Sequence, residues 1–451
     1  MSKSLMRFYA FTRKPKREEK PECNTISHKG EATSMSTVIE DVIARKVFNS
    51  RGEETIEVDV ITTSGFGRAS APAGESRGKA EVVYYPKGGV DEAIKRVEEL
   101  VSPELVGLNA DFQEEIDKTL HRIDNTKDFR IIGGNTAFAV SLANAEAAAN
   151  SYGLPLFQYL GGYAAHELPY PLGNVISGGK HTSGKSPDIQ EFLALPYGAS
   201  SFLEAATANI KIHRKVKENL KRRDKLFGSG RSDEGAWIAN ITDEEAFEIM
   251  TSACEEVSNE LGFKCGFGVD VAASSLWNAK RKKYVYERNE KELDSDEQLE
   301  FVKQLIEKYH LVYVEDPFHE EDYESFAELT KKVKNCLICG DDLFVTNSER
   351  LTQGIKMRAA NAIIIKVNQV GTLTDALETI ETAKRAGYVP VMSHRSGDTC
   401  DWHIAHLAVA FKCSIIKTGI VEGARIAKIN ELLRIEEFLG ERAKMAELQI
   451  P

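Results

Sequence analysis

The chain has 451 residues and a formal net charge of -11, and its content of 42% hydrophobic and 28% charged residues is typical of a soluble globular protein. The length allows two or three domains. The negative charge argues against nonspecific binding to nucleic acid or to an anionic membrane, because both depend on positive surface potential, but it does not exclude a locally cationic pocket for a small anion.

Neither a membrane span nor a disulfide framework is predicted. No apolar run approaches the roughly 18 residues that a transmembrane helix needs. The seven cysteines are few and scattered, which fits a reducing compartment, and we expect a cytoplasmic protein. Cys336 and Cys339 form a CxxC, but no second CxxC or histidine pair completes a zinc site, so buried strand thiols are expected.

The first part of the chain divides into an extension and an α+β domain. Residues 1–35 are rich in charge around RKPKREEKPE, which predicts a disordered extension. Two alternating segments, STVIEDVIARKVFNS and ETIEVDVITT, then predict a hairpin. A loop of small residues and three helical segments follow, so residues 36–165 are predicted to form an α+β domain.

From about Gly266 a unit repeats: an apolar run, a polar residue at its carboxyl end and a helical segment. Apart from the first gap, which contains the charged hairpin-like insertion NAKRKKYVYERNEKELD, the end residues lie about 25 positions apart, the period of an eight-fold β/α barrel. We predict this barrel over residues 166–451. A doubly wound sheet shows the same alternation, but its Gly-rich phosphate fingerprint is not found. The end residues are Asp270, Glu315, Asp341, Lys366, His394 and Lys417.

The strand ends predict a charged cluster, because the carboxyl ends of barrel strands meet at one mouth. Asp270, Glu315 and Asp341 repel one another there unless a cation lies between them. Neighbouring lysines could neutralise them, or a hard divalent ion could bind, and oxygen-only ligands favour Mg²⁺ or Mn²⁺ over Zn²⁺. The segment between Asp341 and Lys366 predicts a helix with Ser348 as its N-cap.

The other polar residues suggest proton transfer next to a carboxylate. A neighbouring cation and a bound Mg²⁺ are expected to lower the pKa of Lys366 and Lys417 toward the range in which a neutral amine acts as a base. A neutral carboxyl among Glu191 and Glu234 could protonate a leaving hydroxide, although either residue taken alone is more typical of a surface glutamate. The remaining candidates are His394, Arg395 and Ser396, as donors for an anionic group such as phosphate, and His181, a histidine in a glycine-rich loop.

The chain resembles the enolase family over nearly its whole length after Ser36. SRGEETIEVDV is similar to the family's SRGNPTVEVEV, and VEDPFHEEDY, GDDLFVTN, IKVNQVGTL, SHRSGDT and IKTG match its barrel motifs in order. The resemblance implies an α+β cap followed by a barrel whose first turns run ββαα. It implies reversible dehydration of 2-phosphoglycerate to phosphoenolpyruvate, two Mg²⁺ sites and a homodimer.

The resemblance also implies roles for single residues. Those in the reaction are Lys366 as the base at C2 and Glu234 as the acid at the C3 hydroxyl. Those holding metal are Asp270, Glu315 and Asp341 for the first Mg²⁺ and Ser76 for the second. Those binding substrate are His181, Glu191, Glu315, Lys366, His394, Arg395, Ser396 and Lys417.

Three segments depart from the family pattern. The mobile loop from Ala73 to Gly78 keeps Ser76 but adds Glu75 and Arg77 where the family has Ser-Gly-Ala-Ser-Thr-Gly. Ala236 replaces a glycine after the acid, and GIVEGAR keeps only Arg425 of a segment that lies at the family's dimer interface. Two alternatives therefore stay open: a related lyase acting on another carboxylate, and a non-catalytic paralogue.

Overall fold

The computed structural model describes residues 36–74, 78, 80–182, 185–448 and 450. The predicted extension, residues 1–35, and the candidate metal ligand Ser76 lie outside the described residues. Among those that are described, no helix combines the length and the apolar character needed to cross a bilayer.

The first part of the chain builds a three-stranded antiparallel sheet covered by helices. The strands are β1 (Ile39–Phe48), β2 (Glu54–Thr62) and β3 (Phe66–Ser70), paired in that order. The predicted hairpin is confirmed as β1 and β2. The structure corrects the predicted loop, because its first residues form β3: Gly67 and Ala69 turn toward the core, and the short strand packs against a helix.

The helices of this part confirm the three predicted segments and add two short ones. They are α1 (Gly89–Arg96), which continues through a π-helical turn (Val97–Val101) into α2 (Ser102–Leu105), then α3 (Gln113–Asp124), α4 (Gly134–Ser151) and α5 (Leu156–Gly161). Helix α4 is buried along most of its length, because its many alanines let it lie close to β2 and β3.

The second part follows in chain order as β4 (Glu167–Leu168), β5 (Tyr170–Ser177), β6 (Glu191–Leu195), α6 (Phe202–Arg223), α7 (Asp243–Leu261), β7 (Gly266–Asp270), β8 (Trp277–Asn278), β9 (Lys283–Tyr286), β10 (Lys291–Leu293), α8 (Ser295–Tyr309), β11 (Tyr313–Glu315), α9 (Tyr323–Lys332), β12 (Leu337–Gly340), α10 (Ser348–Met357), β13 (Ala362–Ile365), α11 (Leu373–Arg385), β14 (Val389–Ser393), α12 (His403–Ala410), β15 (Ile415–Lys417), α13 (Gly423–Leu439) and β16 (Lys444–Met445).

Eight of these strands close a barrel in the order β11-β12-β13-β14-β15-β5-β6-β7. The closure confirms the predicted barrel and excludes the open doubly wound sheet. Two strands and two helices precede six strand-helix repeats, which is the ββαα start that the resemblance implies. The charged insertion after β7 is a small antiparallel sheet of three strands, β10-β9-β8, rather than a simple hairpin.

One barrel strand runs against the others, and this orientation places a predicted site residue. Strand β6 pairs antiparallel with both β5 and β7, and its first residue, Glu191, lies opposite Asp270, the last residue of β7. A carboxylate at the start of β6 therefore reaches the same mouth as the carboxylates at the ends of the parallel strands.

Local details at β12 and α10 refine the sequence reading. Cys336 and Cys339 are buried free thiols, as predicted, and they belong to different apolar clusters, Cys339 to the one inside the barrel. The predicted N-cap, Ser348, is instead the first residue of α10. Asn347 is the cap, because its side chain accepts hydrogen bonds from the backbone N–H groups of Glu349 and Arg350.

Replacement of Gly67 by Ala is expected to lower the free energy of unfolding by at least about 1–3 kcal/mol, the usual cost of overpacking. A Cβ atom at Gly67 would lie 2.0 Å from the carbonyl oxygen of Ala143 and 2.5 Å from the nitrogen of Ala147, both in the backbone of α4. Urea unfolding measures the change. Gly228→Ala is the control, because a Cβ atom there meets nothing within 4 Å; equal stability of the two variants would contradict close packing of β3 on α4.

Candidate active site

The mouth of the barrel holds a small polar cleft that gathers the predicted site residues. All of them line it except Glu315, which is fully buried beneath it, and Ser76, which lies outside the described residues. The lining consists of Gly74, His181, Gln190, Glu191, Glu234, Asp270, Asp341, Lys366, Ser393, His394, Arg395, Ser396 and Lys417.

Lys417 lies at the centre of the acidic cluster. Its ammonium is 2.9 Å from both carboxylate oxygens of Glu315, 2.6 Å from Glu191 Oε2 and 3.5 Å from Asp270 Oδ2. Burial lowers the pKa of Lys417, but these carboxylates outweigh it and raise the pKa well above the ordinary lysine value. One ammonium does not neutralise three acids: burial, Asp270 and Asp341 raise the pKa of Glu315 to about 8 although Lys417 opposes them.

A second lysine, Lys366, forms an ion pair with Asp341. Asp341 follows β12 and Lys366 follows the adjacent strand β13. Lys366 Nζ contacts Asp341 Oδ2, while Gln369 Nε2 donates to Asp341 Oδ1 at 3.2 Å. Burial, Arg395 and Lys417 lower the pKa of Lys366, but the charge of Asp341 outweighs them, so among the protein's own groups the pKa lies above the ordinary lysine value. The lowering expected next to a bound Mg²⁺ stays a prediction.

Two further acids at the same edge were missed. Asp316 follows β11 and accepts the backbone N–H groups of Asp341 at 3.0 Å and Asp342 at 2.8 Å. One carboxylate oxygen from each of the three residues lies within 4.8 Å of the others. Burial and neighbouring carboxylates raise the pKa of Asp342 to about 7 and that of Asp316 well above its ordinary value. The doubled acids in VEDP and GDDL were the available signal.

Glu191 and Glu234 form a pair of carboxyls, and Glu191 also belongs to the acidic cluster around Lys417. Asn174 on β5 donates from Nδ2 to Glu191 Oε1 at 3.0 Å and to Glu234 Oε2 at 3.1 Å, so one amide holds both carboxyls. His181 Nδ1 lies 3.6 Å from Glu191 Oε1. Burial and then the charge of Glu234 raise the pKa of Glu191 well above the ordinary value, so the pair binds a proton more readily than two separate carboxyls would.

The segment after β14 carries the predicted donors, and a buried arginine supports it. His394, Arg395 and Ser396 are all buried at the cleft. Arg425, which is fully buried, donates to the carbonyl oxygens of Arg395, at 2.7 Å, and Ser396. His394 Nε2 lies 3.6 Å from Glu234 Oε2, which joins this segment to the glutamate pair.

Glu81, from the first part of the chain, contacts the cleft residue Arg395. Its carboxylate pairs with Arg395 at 3.1 Å, and Tyr84 OH, which accepts from Arg395 Nη2 at 2.7 Å, donates to the same carboxylate at 3.1 Å. Asn368 Oδ1 also accepts from Arg395 at 3.0 Å. The guanidinium of Arg395 is thus held by Glu81 and Tyr84 from the first part of the chain and by Asn368 from the barrel. Glu81 lies in an irregular segment without periodicity, so no sequence pattern distinguished it.

The donor chemistry of the acidic cluster fits a hard divalent cation. Asp270, Glu315 and Asp341 offer only carboxylate oxygens, and Gln190 adds an amide that donates to Asp270 at 3.4 Å. Burial, and then the carboxylates of Asp270 and Asp341, raise the pKa of Glu315, and a cation bound beside it would lower that pKa. Oxygen ligands of this kind suit Mg²⁺ or Mn²⁺.

A wider cleft lies elsewhere, between residues 179–188 and the insertion after β7. Its basic lining residues Lys180, Lys185, Lys280 and Arg281 are exposed, and none of the buried acids at the barrel mouth lines it. The small cleft at the mouth, with its converging buried charges, is therefore the better candidate for chemistry.

Comparison with known proteins adds an independent line of evidence. The family model described as "Enolase, C-terminal TIM barrel domain" matches residues 165–450, and "Enolase, N-terminal domain" matches residues 39–160. A relative named enolase from Methanosphaera stadtmanae is 55% identical over 406 residues, covering 90% of this chain and 98% of its own. Others from Methanothermobacter thermautotrophicus, 52% identical over 92% of this chain and 100% of its own, and Pyrobaculum aerophilum, 49% identical over 91% and 99%, are similar.

Replacement of Glu81 by Ala is expected to lower the free energy of unfolding by about 3 kcal/mol or more, because it removes a carboxylate that pairs with the buried charge of Arg395. Both side chains are nearly inaccessible, with exposures of 2% and 4%. Denaturant unfolding monitored by circular dichroism measures the loss. The matched control is Glu114→Ala, which breaks the exposed pair with Lys118 and should cost less than about 1 kcal/mol. Equal losses in the two variants would refute the importance of the buried pair.

Proposed function

The chain belongs to the enolase family, and we propose that it catalyses the reversible dehydration of 2-phosphoglycerate to phosphoenolpyruvate, as a carbon-oxygen lyase. The observation that carries the proposal is that one buried cleft contains a lysine, a pair of glutamates and a set of carboxylates between them. Lys366 contacts Asp341 on one side, and the neighbouring carboxyls of Glu191 and Glu234 lie on the other.

We assign the first proton transfer to Lys366. As a neutral amine it would take the proton from C2, and its ammonium form would return the proton in the reverse reaction. The ion pair with Asp341 holds the amine in its charged form, so Lys366 becomes a base only when that pair is weakened. Lys417, already surrounded by carboxylates, would contact the substrate carboxylate and balance the charge that develops on it.

We assign departure of the C3 hydroxyl to Glu234. The hydroxyl leaves with a proton, as water, while the C2–C3 double bond forms. Glu234 would donate that proton. Because burial and the neighbouring charge of Glu234 raise the pKa of Glu191, the two carboxyls together bind a proton for this step. The substrate phosphate would bind Arg395 and Ser396, with His394 and His181 as further donors near the cleft wall.

We propose that Asp270, Glu315 and Asp341 hold the first Mg²⁺ and that Ser76 contributes to a second site. An ion bound at the carboxylates would supply the dense positive charge that removal of a proton next to the substrate carboxylate requires. We further propose a cytoplasmic homodimer, the form that the family implies. The free thiols of the described cysteines support a reducing compartment, and sedimentation of the purified protein tests the dimer.

Turnover provides the direct test. The purified protein, supplied with Mg²⁺ and 2-phosphoglycerate, is expected to form phosphoenolpyruvate, followed by its ultraviolet absorbance, and to lose activity when a chelator removes the metal. A folded, metal-replete protein without turnover would refute the proposed function. A higher kcat/KM for a different carboxylate would instead support the related-lyase alternative, and the altered loop from Ala73 to Gly78 would then be the first segment to exchange.

Replacement of Lys366 by Ala is expected to abolish exchange of the C2 proton with solvent, with a loss of at least about 100-fold, because general bases contribute about this much or more. Exchange is measured by NMR on substrate in D₂O. Lys356→Ala, which removes an exposed lysine of α10, is the control and should exchange at the unaltered rate. Undiminished exchange in a folded Lys366→Ala protein would exclude this lysine as the base.

A further inference from the structure

We propose that Arg425 is a positioning residue that fixes the tautomer of His394, so that Nε2 carries the ring proton and donates it into the cleft. The tautomer is a property of the free protein and follows from its hydrogen bonds alone. Its meaning for catalysis rests on the proposed function, since it determines what His394 can offer a bound substrate.

The hydrogen-bond geometry admits one tautomer. Arg425 Nη1 lies 2.8 Å from His394 Nδ1, and both residues are buried. A guanidinium has only donors and does not lose its proton in proteins. Nδ1 must therefore be the acceptor, and a neutral imidazole that accepts at Nδ1 carries its proton on Nε2.

Arg425 is itself fixed by several acceptors, so it cannot turn away from the imidazole without losing them. Nη1 also donates to the carbonyl oxygen of Arg395 at 2.7 Å, and Nη2 donates to that of Asp233 at 3.0 Å and to that of Ser396. Its side chain has no exposed surface. One guanidinium thus connects the histidine, the segment that carries the phosphate donors and the loop that carries Glu234.

The charges around the imidazole keep it neutral. Arg425 contributes a cation, and Asp398, which lies 3.5 Å from Arg425 Nη1, also pairs with Lys428 at 3.2 Å. Burial and this cation lower the pKa of His394 to about 4, although Glu234 and Asp398 oppose the shift. On the cleft side, Nε2 faces Glu234 Oε2 at 3.6 Å and has no closer partner among the described residues.

The consequence is a defined role for His394 in the reaction. A neutral imidazole with Nε2–H can donate a hydrogen bond to an anionic oxygen of the substrate or to the departing hydroxyl, but it cannot accept a proton from the substrate at that nitrogen. The opposite tautomer would present a lone pair to the same oxygens and repel them. Arg425 therefore determines whether His394 helps or hinders binding.

The tautomer can be measured without substrate or metal. ¹⁵N NMR of protein labelled in its histidine rings distinguishes a protonated from an unprotonated ring nitrogen. His213 serves as an internal reference, because its Nε2 lies 2.9 Å from the carbonyl oxygen of Gly235 and must be protonated. We expect His394 to resemble His213 in the unaltered chain, and to populate the Nδ1–H form in Arg425→Met. An Nδ1–H form in the unaltered chain, or an unchanged Nε2–H form in a folded Arg425→Met protein, would overturn the proposal.

A double-mutant cycle provides a second test that tolerates a destabilising variant. In His394→Gln the side-chain amide lies near the position of Nε2 and can present a donor without any tautomer. We expect Arg425→Lys to lower kcat/KM about 10-fold or more in the unaltered chain and less than about 3-fold in His394→Gln, since the coupling between contacting residues is lost. Equal losses in both backgrounds would indicate a purely structural arginine and overturn the proposal. Absence of turnover in the unaltered chain would refute the proposed function, and the NMR result would then decide the tautomer alone.

Discussion

The contact of one ammonium with three buried carboxylates is the constraint on which the rest of the site depends. Removing a carboxylate from water costs several kcal/mol, and Lys417 can offset this cost for Glu191, Asp270 and Glu315 only because strand ends bring them to one point. The closed barrel supplies that convergence. Burial, and then the charges of Asp270 and Asp341, raise the pKa of Glu315 although Lys417 opposes the shift, so a further cation in the cleft would stabilise the ionised carboxylates.

Much of this arrangement could be predicted from the sequence because it follows from periodicity. Apolar runs that end on Asp270, Glu315, Asp341, Lys366 and Lys417 define parallel strands, and parallel strands in a barrel share one mouth. The position of each charge in the fold was thus determined by its position in a repeat. The roles of these residues are proposals, since they depend on a bound substrate, whereas their convergence is a property of the chain.

The features that the sequence did not reveal depend on contacts between distant segments. Glu81 meets Arg395 across more than 300 residues, and Asn174 joins two glutamates that no local pattern connects. Strand β3 was missed because its short segment forms a strand only by pairing with β2 and packing against α4. The adjacency of Asp341 and Lys366 was predicted, but the amount by which Asp341 raises the pKa of the lysine depends on the distance between the two side chains.

The reversal of β6 also determines what the opposite end of the barrel can be used for. Because Glu191 starts this strand at the mouth, its last residue, Leu195, lies opposite the first residue of β7, and the connection over residues 196–201 leaves from the floor of the barrel. Any peptide, dye or surface linker attached there projects away from the cleft. The fold thus provides an attachment point from which the molecule can be held while its entrance stays open to solvent.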